Sequence, residues 1–453
     1  MPVTDAMFLL GEVREKPLHV GGLQLFRPPE DAGPEHAREQ YRGALERGEI
    51  ASLFRRRPRR SLGGLGPWEW EDDDDLEREY HIRHSALPHP GAIRELLALI
   101  SRLHGTLLDR NRPLWEMHVI EGLEDGRIAT YNKVHHALID GVSAMRWMTR
   151  SLSSDPDERD MPPPAALQRP RSSSSETSGS ALTALTTLAR ETVAGGRAVG
   201  EAGFAAVRTV GRAVEDRAAA LPYQAPRSML NVPITGARRF AAQSWSLDRV
   251  RAVCDARDAS VNDVVLAMCS GALRRYLLDH QALPDQPLVS AVPVSLRSRD
   301  DEDETGGNAV GVVLCNLGTH LEQPGARLEM IQRSMRDSKA RLEGLSPLAI
   351  ILLSAVSFGP VALGPLFRYS LLQKPAFNLV ISNVPGPKEP LYWNGARLEG
   401  IYPVSIPYDG QALNVTVTSY AGSLEFGLIG CRRRVPRLQR LLDHLEDSLA
   451  ELE

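Results

Sequence analysis

The sequence predicts an α/β protein with mixed sheets, built as two related lobes on either side of a linker. Three observations predict this. Segments that alternate with period two are interleaved with segments of helical spacing in both halves of the chain. A stretch rich in Pro, Ser and charge begins at Asp155 and separates the halves. No GxGxxG or phosphate loop follows any strand, so a doubly wound sheet with a nucleotide crevice has no support. A chain of 453 residues also exceeds one ordinary core. The expected division is 1–154 for a first lobe, 155–228 for a flexible linker with connecting helices, and 229–453 for a second lobe.

In the first lobe, Leu18 to Phe26 alternates as a strand, and a helix follows over about 34–55. The basic run Arg55 to Arg60 and the acidic run Glu71 to Asp75 read as separate solvated surfaces. For the basic run, an anionic ligand or a lipid headgroup is the functional alternative. His81 to Pro88 is extended, and Ala92 to Leu108 carries its apolar residues at helical spacing. Pro113 to Ile120 and Ile128 to His135 are strands, and the turn signal Glu124-Asp125-Gly126 makes them a hairpin.

Asp155 to Ser180 cannot bury enough apolar surface to fold and reads as mobile; Ala181 to Leu221 reads as one or two weakly hydrophobic helices. The second lobe begins near Met229, with a strand from Arg239 to Leu247 and a helix from Ser260 to Leu278, Ser260 being its N-cap. Strands at Leu288 to Leu296 and Val310 to Leu317 bracket an acidic loop that resembles a calcium loop. That loop has Val312 where the twelfth-position acid belongs, which excludes calcium. Residues 344–367 carry no charge but are broken by Pro360, Pro365 and two glycines, giving two short apolar helices that could form core, line an acyl pocket or touch a membrane. Strands at Phe377 to Ile381, Leu413 to Ser419 and Leu424 to Ile429 precede a terminal helix from Pro436 to Leu452.

The composition is that of a soluble globular protein, and the net charge of -4 offers nothing to nucleic acid. Four scattered cysteines without a CxxC pair, and no secretion signal, point to a reducing cytoplasm. The chemistry concentrates at Asn132 to Gly141, where a strand gives way to a helix. His135 and His136 are adjacent on a strand and must face opposite sides, so one can serve a pocket while the other packs beneath it. The same geometry keeps them from sharing a metal ion, and no other ligand set accompanies them. Asp140 is placed to cap the helix and to orient the site, and Gly141 leaves room beside the backbone. Base, ligand and plain buried histidine remain open on these residues alone. Gly141-Val142-Ser143-Ala144-Met145 lacks the final glycine of a nucleophile elbow, so a serine hydrolase is not supported.

His135-His136-x-x-x-Asp140-Gly141 matches the HHxxxDG motif of the CoA-dependent acyltransferase superfamily. With Asp5 to Phe26, Pro113-Leu114-Trp115-Glu116, Asn262-Asp263, Pro293 to Arg297, Gly307 to Val310 and Ser382 to Pro387, the chain resembles the bacterial wax ester synthase/diacylglycerol acyltransferase family over nearly its full length. Arg437 stands where that family would have an acidic residue. The resemblance implies two chloramphenicol-acetyltransferase-like lobes around a central tunnel. It implies acyl-CoA as substrate, no cofactor, and diacylglycerol or a long-chain alcohol as acceptor. It also implies peripheral contact with the inner membrane or lipid inclusions. By carry-over His136 is the general base, His135 and Asp140 support it, Arg297 is nominated as the salt-bridge partner of Asp140, and Asn262 and Asp263 are supporting residues. A superfamily enzyme acting on a non-lipid hydroxyl or amine, and a non-catalytic lipid-surface protein, are the alternatives.

Overall fold

The computed structural model describes residues 1, 3–61, 66–167, 222–295, 310–342 and 374–453. Chain order runs α1 (Val3–Gly11), β1 (His19–Arg27), α2 (His36–Glu46), β2 (Arg56–Arg60), β3 (Trp68–Asp72), α3 (Arg78–His81), β4 (Ile82–Ala86), α4 (Ile93–His104), β5 (Trp115–Glu121), β6 (Ile128–His135) and α5 (Gly141–Arg150). It continues with β7 (Arg238–Ser246), α6 (Leu247–Arg257), α7 (Val261–Asp279), β8 (Val289–Ser295), β9 (Val310–Asn316) and α8 (Pro324–Ala340). The last elements are β10 (Leu379–Val384), β11 (Tyr392–Trp393), β12 (Ala396–Val404), β13 (Leu413–Tyr420), β14 (Ser423–Cys431) and α9 (Arg440–Ala450).

Two mixed six-stranded sheets form, in the orders β11-β12-β1-β6-β5-β4 and β7-β14-β13-β10-β8-β9. The expected β5–β6 hairpin is there, with Trp115 opposite Val134. Sheet membership does not follow the division at residue 229, because β11 and β12, from the far end of the chain, complete the first sheet by pairing with β1. Where β12 crosses the second sheet, a Cβ on Gly427 would lie 1.9 Å from the Pro403 carbonyl oxygen, so only glycine permits the approach. Leu96 and Ile100 of α4, Tyr402 of β12, Phe240 of β7 and Ile429 of β14 share one apolar cluster that joins the lobes. The Phe240 N–H donates to Ser101 Oγ on α4 at 2.8 Å, adding a polar tie across the junction.

Several expectations change. The helix expected over 34–55 stops at Glu46, and the basic run becomes a strand antiparallel to the acidic one. Arg57 meets Glu71 at 3.0 Å and Arg56 meets Asp72 at 3.6 Å, with Arg59 also on Glu71, so the start of the acidic run is paired with the basic one while both stay largely exposed. Opposite charge across a hairpin is favourable pairing that a one-strand reading cannot see. Of the segment expected as mobile, 155–160 is exposed but 161–167 packs on the first lobe: Met161 and Ala165 are buried, and Trp147 Nε1 donates to the Pro164 carbonyl at 2.6 Å. The helices α1, α6 and α8 were not expected, α1 because its nine residues are nearly all apolar and show no periodic face. Residues 168–221 of the expected linker, the acidic loop 300–304 and the uncharged stretch 344–367 lie outside the described residues, while Ala225, near the linker's end, is buried.

Candidate active site

The site is assembled where β6 ends. His135 closes the strand, fully buried, and its N–H donates to the Leu114 carbonyl at 3.0 Å. His136 is the first residue beyond it, and its N–H donates to the Leu18 carbonyl at 3.0 Å, which pins the turn to β1. The turn then closes on itself as the Leu138 N–H donates to the His135 carbonyl at 2.9 Å. Adjacent residues at a strand end diverge in direction, and the two imidazoles accordingly keep different company.

His135 Nδ1 accepts the Ala137 N–H at 3.1 Å, so in the neutral ring the proton sits on Nε2. That nitrogen faces Glu12 Oε1 at 3.4 Å. Glu12 is itself buried; it accepts the Leu18 N–H at 2.9 Å and pairs with Arg110 at 3.2 Å. Burial pushes the Glu12 carboxyl up, but His135, the Leu18 N–H and Arg110 together pull it below its ordinary value, so the carboxylate stays charged at neutral pH. His136 stacks on Phe8 of α1, ring centroids 4.3 Å apart and planes at 22°. Burial pushes the His136 imidazole below its ordinary value and His135 adds to this, while the Asp140 carboxylate acts against it. A histidine lowered in this way is predominantly the neutral, proton-accepting form at pH 7.

Asp140 performs the cap that the sequence suggested: its Oδ1 accepts the Ser143 N–H at 2.9 Å and its Oδ2 the Ser143 hydroxyl at 2.7 Å. Gly141 opens α5, and among the described residues outside its own helix no heavy atom comes within 4 Å of where a Cβ would stand. Beneath the turn, Lys133 is fully buried, its Nζ 3.0 Å from Glu116 and donating to the carbonyls of Leu103 and Thr106. Burial would raise the Glu116 carboxyl, yet His118, Lys133 and Arg83 bring it down to about 2.

The structure thus gathers His135, His136, Asp140 and Gly141 at one turn. Asn262 and Asp263 stand in the first turn of α7, in the other lobe. The Asp263 carboxylate closes a capping box, accepting the Ser260 N–H at 3.1 Å and its hydroxyl at 2.6 Å. Asn262 is half-buried beside it. Arg297 lies outside the described residues. Sequence reasoning missed Glu12, Arg110 and Phe8. Glu12 sits in Gly11-Glu12-Val13-Arg14-Glu15-Lys16, which reads as a solvated charged turn, and its only signal is the four-residue spacing from Phe8. Among the described residues no cluster of three or more His, Cys, Asp or Glu could hold a metal ion.

Comparison with known proteins places these features. A model of the wax ester synthase/diacylglycerol acyltransferase catalytic domain matches residues 1–265, and a model of the C-terminal domain of the same family matches 306–453. A probable diacylglycerol O-acyltransferase of Mycobacterium tuberculosis is 51% identical over the whole chain and 98% of its own length. The O-acyltransferase WSD of Acinetobacter baylyi is 43% identical over 98% of this chain and 95% of its own. The wax ester synthase/diacylglycerol acyltransferase structure from Marinobacter aquaeolei superposes with a TM-score of 0.77 at 45% identity, covering all of this chain and 98% of that one. The first condensation domain of the calcium-dependent antibiotic synthetase shares the fold, with a TM-score of 0.59 at 17% identity.

Proposed function

Because the chain belongs to the wax ester synthase/diacylglycerol acyltransferase family, we propose that it moves a long-chain acyl group from acyl-CoA to the hydroxyl of a diacylglycerol or a long-chain alcohol, giving triacylglycerol or wax ester. The observation that carries the reading is the half-buried His136, stacked on Phe8 and held predominantly neutral at the strand-to-helix turn, with no described residue outside α5 within 4 Å of where a Cβ on the neighbouring Gly141 would stand. His136 takes the proton of the acceptor hydroxyl as its oxygen attacks the thioester carbonyl. Collapse of the tetrahedral adduct expels the CoA thiolate, which recovers that proton as the free thiol. No covalent enzyme intermediate and no metal are required, and such a base contributes about 10²- to 10⁴-fold in rate.

In this reading His135 is a support. Its Nδ1 accepts the Ala137 N–H of the turn and its Nε2 faces the Glu12 carboxylate at 3.4 Å, contacts that hold the turn from which His136 projects. Asp140 holds the start of α5 and, by its charge, stabilises the imidazolium that forms as the proton is taken. Asp263 serves the start of α7. The lipid acceptors imply work at a membrane or lipid-inclusion surface by peripheral contact; no helix among the described residues is long and apolar enough to cross a bilayer.

The test is release of free thiol from palmitoyl-CoA with a diacylglycerol, a hexadecanol and a non-lipid alcohol or amine as competing acceptors. Ester formation on the two lipid acceptors supports the reading. Transfer only to the non-lipid acceptor, or lipid binding without thiol release, removes it.

A further inference from the structure

Phe8 and Glu12 lie four residues apart, and the Glu12 N–H donates to the Phe8 carbonyl at 3.1 Å, so the helical repeat of α1 continues through both and sets them on one face. That spacing lets one short segment engage both histidines: the Phe8 ring lies flat on His136 while the Glu12 carboxylate faces His135. Only the second contact is polar. His136 draws its orientation from its own backbone, from the field of Asp140, and from this ring. An imidazole has a broad, nearly two-fold torsion at χ2, and a parallel ring at 4.3 Å restricts rotation about it.

We propose that Phe8 is a positioning residue for acyl transfer, its ring holding the His136 imidazole in the plane from which it reaches the acceptor hydroxyl. The inference rests on His136 being the base. Phe8 also packs half-buried against the apolar core of the first lobe, with Leu9 beside it fully buried, so a purely architectural role is the competing account. The two accounts part on what must be kept. Packing asks for apolar volume, which leucine nearly supplies. Positioning asks for a flat face, which leucine lacks and tyrosine retains.

The experiment compares wild type with F8L, F8Y, F8A and H136A in the thiol-release assay, with the melting curve of each variant measured alongside. The proposal expects F8L to melt close to wild type and yet lose kcat by roughly ten- to a hundredfold, the scale of a misplaced catalytic group. KM for acyl-CoA should stay within about twofold, as expected when an interaction made only in the transition state is lost. F8Y should recover most of kcat. If F8L is as active as wild type, or F8Y and F8L lose activity equally, the ring is packing alone and the proposal is overturned. If F8A unfolds, the F8L and F8Y pair still decides. Wild-type activity in H136A removes the base assignment itself, whereas an inactive H136A together with a fully active F8L removes only the role of Phe8.

Discussion

Glu425 is the acid whose replacement tests the lobe junction most sharply. It lies on β14, 1% exposed, with the Ser244 hydroxyl of β7 donating to its Oε2 and that hydroxyl 2.9 Å from the Tyr402 hydroxyl of β12. β12 belongs to the first sheet and β7 and β14 to the second, so this cluster ties the sheets together. Burial raises the Glu425 carboxyl from 4.5 to about 7, the Ser244 and Tyr402 hydroxyls only partly opposing it. A group whose folded pKa is raised contributes stability that is complete below its unfolded pKa and is lost as pH rises through the folded one. Here that window runs from 4.5 to about 7. At about 1.4 kcal/mol per unit, the protonated carboxyl should be worth about 2–3 kcal/mol more at pH 5 than at pH 8.

Glu425→Gln keeps the shape and an acceptor for Ser244 but cannot ionise. Urea unfolding of both proteins at pH 5 and pH 8 isolates the effect, since the other titrating groups cancel in the difference. The variant should gain on wild type by about 2–3 kcal/mol as pH rises across that interval. A difference that does not change with pH would refute the reasoning, because it would mean that the carboxylate is solvated at the junction or already charged there.

Two further outcomes follow from the site. Glu12→Gln removes the charge that faces His135 and Arg110; stability should fall by about 1–3 kcal/mol at pH 7 with a loss of activity, measured by unfolding and thiol release. Since the Glu12 pKa is lowered, this cost should be present above pH 4.5 and should shrink as acid protonates the wild-type carboxyl. Gly141→Ala meets none of the described residues and suits a helix start, so it should fold at least as well as wild type. Any rise in KM for acyl-CoA or acceptor would then locate substrate in the space beside α5, and unchanged kinetics would show that space to be unused.

Local signals carried much of the fold into the sequence. Alternation over Ile128 to His135 gave β6, Ser260 gave the cap of α7, and Asp140 gave the cap of α5, because each depends only on neighbours in the chain. What was illegible depended on distant partners. That β12 joins the first sheet is decided by its pairing with β1, whose partner residues lie at least 370 positions away, and its own Gly400 and Pro403 weaken the strand pattern. The basic and acidic runs are largely exposed, as their composition suggests, but that they face each other across a hairpin could not be read from either run alone. In the site, the adjacent histidines, the aspartate and the glycine were readable because one turn carries them. Glu12 and Phe8 were not, since a buried carboxylate and an ordinary apolar residue reveal their use only when α1 is folded against the end of β6.

The central claim is that His136 removes the acceptor's proton, and His136→Ala addresses it directly. Thiol release from palmitoyl-CoA in the presence of diacylglycerol, measured on protein with a wild-type melting curve, should fall by about 10²- to 10⁴-fold. Equal turnover in the two proteins would contradict the account.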